Sequence, residues 1–73
     1  MPMNELLYET MLELAADDLI PRLLAELEES KKLRACPSYA EVSDFCRALN
    51  LVALWAGMPK MTPKALVERH CQK

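Results

Sequence analysis

A single glycine in 73 residues leaves no glycine-rich loop to cradle a phosphate or a dinucleotide. The only histidine, His70, stands beside Cys71, and neighbours on a helix point about 100° apart, so no Cys–His dyad is preassembled. His70 reads as an exposed residue near a helix C-terminus, where a cation is favourable. Cys36, Cys46 and Cys71 are odd in number and contain no C-x-x-C pair, which signals neither a disulfide framework nor a zinc site and fits a reducing, cytoplasmic setting. Cys46 fits a small core position, Cys36 a loop before proline that is open to oxidation, and Cys71 an exposed thiol. No run reaches the roughly 18 apolar residues of a membrane span, and MPMNELLYETMLEL carries acids where a signal peptide needs basic and apolar regions. Carboxylates are plentiful, but they fall on exposed helical positions with no pocket to raise a pKa. The expectation is a non-enzymatic, cytoplasmic protein with no cofactor or metal.

Apolar residues are abundant instead. They make up 52% of the chain, above the roughly 45–50% usual in soluble domains. Only a single domain, residues 1–73, fits this length, and a domain of about 60 residues buries only about 60% of its unfolded surface. That excess of apolar residues in a small chain favours association, because small scaffolds without disulfides or metals often borrow stability from a partner.

The pattern is helical throughout. From Leu6 to Leu27, Tyr8, Leu12, Ala15, Ala16, Leu19, Ile20, Leu23, Leu24 and Leu27 recur at three- and four-residue steps, with Asn4 as a candidate cap. Pro21 lacks the N–H that would bond the Asp17 carbonyl. Either one kinked helix spans about residues 5–34, or a break leaves Asp18 capping a second helix; a kink or tight break at Asp17 and Asp18, with the two segments roughly continuous, is expected. Ser38 and Glu41 have capping-box spacing, so a central helix starts at Tyr39, and Gly57 and Pro59 end it. Thr62 and Pro63 open a short last helix to about His70. No segment alternates like a strand. The fold class is all-α: a helical hairpin or three-helix domain with a long N-terminal, a central apolar and a short C-terminal helix, assembled as a homo-oligomeric bundle.

The stretch ALNLVALWAG, Ala48 to Gly57, makes the case for association. Val42, Phe45, Cys46, Leu49, Val52, Ala53 and Ala56 form one apolar stripe, enough to pack against the N-terminal arm. Leu51, Leu54 and Trp55 form a second set, bordered by Ala48, that a short last helix could cover only in part. They are the expected oligomer interface, of a dimer or tetramer. Asn50 in their midst either fixes register there or marks the wet side of the helix.

Charge is split along the chain. Residues 1–29 hold eight acids against Arg22, a net of −7, and residues 30–73 hold eight bases against three acids, a net of +5. Glu5, Glu9, Glu13 and Asp17 stand at four-residue steps, stacking like charges on one helix face. A solvated face accounts for this row; a basic protein surface, such as the DNA-contacting face of a regulator, would relieve its repulsion. The basic residues Lys60, Lys64, Arg69, His70 and Lys73 raise a rival reading as phosphate contacts, but the overall charge is −2 and the Gly57–Thr62 linker is long for a helix-turn-helix.

Together these features point to a small protein-binding regulator that sequesters or inhibits another protein, of the antirepressor or inhibitor type, with nucleic acid and membrane not expected as partners. The alternatives are a DNA-binding regulator using the basic C-terminal half and a structural subunit or adaptor of a larger assembly.

Overall fold

The computed structural model describes residues 3–71. Among them every regular element is helical: α1 (Met3–Leu14), a π-helical turn (Ala15–Leu19), α2 (Ile20–Ser30), a 3-10 turn (Leu33–Ala35), α3 (Tyr39–Ala56) and α4 (Pro63–Cys71). The fold is all-α.

The first three elements form one helical arm. Leu14, Leu19 and Ile20 all keep right-handed helical dihedrals, and the Ile20 N–H reaches back to the Ala15 carbonyl. That five-residue closure widens the turn just before Pro21, where a regular helix would drive the proline ring into the Asp17 carbonyl. Asn4 lies inside α1 rather than capping it, and its Nδ2 donates to the Trp55 carbonyl at 3.5 Å. The arm also ends earlier than residue 34. Lys31 takes a left-handed conformation, φ 64°, and its N–H closes on the Leu27 carbonyl. This role usually falls to glycine, and the residues around Lys31 give no sign of it.

α3 begins at Tyr39 as its sequence implies, but by a different cap. The Ser38 hydroxyl makes no capping bond within α3. Ser38 instead donates its N–H and hydroxyl to the Glu26 carboxylate of α2, while Glu41 pairs with Arg22 at 3.2 Å. A carboxylate one element away wins because it accepts two charge-assisted bonds at once. At the other end Gly57, φ 71°, closes α3 with Met58 N–H on the Ala53 carbonyl at 2.8 Å and Gly57 N–H on that of Leu54 at 3.4 Å. α4 starts as expected, with Ala65 N–H on Thr62 Oγ1 at 3.1 Å.

The arm runs antiparallel to α3, because Asn4 meets Trp55 at one end while Arg22 and Glu26 meet Glu41 and Ser38 at the other. Their shared core holds Tyr8, Leu12, Ala15, Ile20 and Leu23 against Val42, Cys46, Leu49, Val52 and Ala53. α4 adds one fully inserted side chain, Leu66. No helix among the described residues is long and apolar enough to cross a membrane.

Candidate interaction surfaces

α3 has two apolar faces and the fold uses one. Leu49 and Val42 are fully buried, whereas Leu51, Leu54 and Trp55 keep 58%, 75% and 63% of their surface exposed. α4 does not cover them. Its Leu66, Arg69 and His70 lie over the arm, where they line a small cavity with Leu12, Glu13, Ala16 and Ile20.

Asn50 behaves differently from its three neighbours. Its Nδ2 donates to the Met61 carbonyl at 3.0 Å, and the Met61 N–H donates to its Oδ1 at 2.6 Å. Both halves of the amide are thus spent within the chain, holding the α3–α4 connector against α3.

α1 adds apolar surface that the buried-face reading passed over. Met3, Leu6, Leu7 and Leu14 are all exposed. Met3, Leu7 and Leu14 follow steps of four and seven, the spacing of a helix seam, and that regularity is visible in the sequence. At about 100° per residue, Leu7 and Leu14 project to the opposite side of the Tyr8–Leu12 row from Glu9 and Glu13. Glu13 marks the α4 side of the arm and Asn50 the α4 side of α3. Leu7 and Trp55 therefore border the same α1–α3 seam, on the side away from α4.

The acidic row is less uniform than its spacing suggests. Glu5 and Glu9 are half-buried, Glu13 and Asp17 are exposed, and Asp17 sits in the π-helical turn, where the four-residue step no longer holds. None of the four joins an ion pair among the described residues. Arg69 lies close enough to lower the Tyr8 pKa, although burial dominates and pushes that phenol up.

The fold scatters the basic C-terminal residues. Lys60 borders a groove along α3, Lys64 shares a cleft with Lys32, Arg34 and Tyr39, and Arg69 and His70 line the cavity beside Glu13. Lys73 lies outside the described residues. His70 is half-buried rather than exposed, and its Nδ1 is buried with no hydrogen-bond partner among the described residues. Cys36 is buried too, with its Sγ 3.3 Å from Ser30 Oγ and donating to the Lys32 carbonyl at 3.4 Å. Cys46 is a core residue whose burial raises its thiol pKa, and Cys71 is exposed.

No protein-family model, curated protein or solved structure matches this chain.

Proposed function

We propose that this chain is a small cytoplasmic protein-binding regulator that self-associates along the α1–α3 seam and acts by sequestering or inhibiting another protein. The observation that carries this reading is the uncovered apolar side of the hairpin, with Trp55 of α3 63% exposed and Leu7 and Leu14 of α1 exposed on the same side. Exposed tryptophan and leucine side chains are the composition of an interface centre rather than of a wet helix face.

Shape supports the reading. The radius of gyration is 12.3 Å, against about 11 Å for a compact domain of this length. The principal extents of 40 × 21 × 16 Å describe an elongated body. Two antiparallel helices with one open face make half of a four-helix bundle, and a second copy completes it. The Glu5–Glu13 row lies on the other flank of α1, leaving Glu9 and Glu13 free to meet a basic protein surface after assembly.

Light scattering after size exclusion tests self-association. The expected result is a dimer or tetramer whose mass holds across concentration, and a monomer of unchanged helicity for Trp55→Glu. Equal, monomeric masses for both proteins at high concentration would refute it. The acidic row has its own test: reversal of Glu9 and Glu13 should abolish capture of a basic partner protein while leaving the mass and helicity intact.

A second reading, a subunit or adaptor of a larger assembly, draws on one observation. Leu54 and Leu6 are exposed by 75% and 53% off the Leu7–Trp55 side, apolar surface that a contact along that side leaves bare.

A further inference from the structure

α3 carries a second apolar strip, on its Asn50 side and turned away from Trp55. Beside it the connector folds back, so that Met58, Pro59 and Lys60 face Arg47, Leu51 and Leu54 across a groove with Asn50 between them. The connector wall is fixed rather than loose. The Asn50 amide holds Met61 through two hydrogen bonds, and Met58 N–H is tied to the Ala53 carbonyl at the Gly57 turn.

The groove has an exposed apolar lining flanked by cations. Leu51, Leu54 and Met58 supply the lining, and Lys60 has no carboxylate partner among the described residues. Arg47 has only Asp44, at 3.6 Å, and both side chains are more than 70% exposed, so the pair is weak and readily exchanged. Among the described residues no acidic side chain lines the groove. Arg47 to Leu54 covers two helical turns, about 10 Å, the length over which a docking helix presents anchors at i, i+3 or i+4, and i+7. Met58 adds a flexible thioether that adapts to the shape of an incoming side chain.

We infer that this groove docks an amphipathic helix of a different protein, with aliphatic side chains seated among Leu51, Leu54 and Met58 and flanking carboxylates against Arg47 and Lys60. A second copy of this chain is a poor occupant. On the acidic flank of its α1 only Leu6 is an exposed aliphatic side chain among the described residues, since Tyr8 and Leu12 are committed to their own core and Leu7 and Leu14 project from the other flank, and acidic α2 exposes no large aliphatic side chain there.

The test displays a library of amphipathic helices of about four turns, aliphatic at the anchor positions and random between Glu and Lys at the flanking ones, and selects it against the full chain. Selected peptides should carry Glu at the flanks. Their affinity should fall at least about tenfold in Leu54→Glu and in the Arg47→Glu, Lys60→Glu double variant, with helicity of each variant checked by circular dichroism, and should hold in Trp55→Glu. Recovery of no binder, of Lys-flanked binders, or of binders indifferent to Leu54→Glu would overturn the inference. A change of assembly mass in Leu54→Glu would overturn it differently, by showing that a second copy fills the groove, while self-association would stand.

Discussion

Ser38 places its N–H, at 2.8 Å, and its hydroxyl on the two oxygens of the Glu26 carboxylate, twelve residues earlier in the chain. One side chain of α2 thereby satisfies the start of α3, and the corner between the two helices is held by a charge-assisted pair of bonds. The Ser38 hydroxyl and then its N–H hold the Glu26 carboxyl below the usual glutamate range, with Arg22 acting in the same direction and partial burial opposing them.

The sign of the pH dependence follows. Because the folded carboxyl has the lower pKa, its contribution is complete above the unfolded value, about 4.3, and is lost as pH falls through the folded one. Glu26→Gln should therefore be less stable than the native chain at pH 7, and the gap should close below pH 4. Urea unfolding at the two pH values measures it, and a gap that persists in acid would assign the effect to something other than the carboxylate.

Asn50→Ala removes both bonds to Met61 and leaves a half-buried N–H and carbonyl to water. The expected loss is roughly 1–2 kcal/mol, which lowers the melting temperature by about 4–8 °C per kcal/mol in a domain of this size. Thermal unfolding followed by circular dichroism reads this directly.

Leu49 and Leu54 differ by five positions on one helix and should differ sharply in cost. Leu49 is fully buried and Leu54 is 75% exposed. Leu49→Ala should cost about 2–5 kcal/mol, and Leu54→Ala should stay within roughly 0.5 kcal/mol of the native chain. A large loss at Leu54 in dilute solution would mean that the single chain is not the folding unit.

Thiol labelling separates the three cysteines. Under native conditions Cys71 should react at once, whereas Cys36 and Cys46, both buried, should react only as the chain opens. Mass spectrometry after short exposure to iodoacetamide distinguishes them, and early labelling of Cys36 would show that the α2–α3 corner opens locally.

Much of the helical layout was legible because its signals are local. Gly57 ends α3 since only a residue without Cβ takes a positive φ cheaply, and Thr62 before Pro63 starts α4 through its own side chain. Leu51, Leu54 and Trp55 could be picked out as surplus because a three- and four-residue period counts the apolar residues that one face can hold. Spacing alone pairs Ser38 with Glu41, because it cannot rank a carboxylate three residues away against one in another helix. Lys31 carries no local signal for a related reason: a lysine in the left-handed region is stabilised by the corner it closes, not by its own preference.

Composition and period by themselves determined an all-helical chain with more apolar surface than one short hairpin can bury, because both follow from residue type and helical geometry alone. Tertiary structure decided where that surplus lies. It turned Asn50 inward onto Met61, moved His70 into a cavity beside the arm, and left Leu51, Leu54 and Trp55 uncovered by α4. Each of those outcomes depends on which helix packs against which, and that is a contest among long-range contacts that no local pattern records.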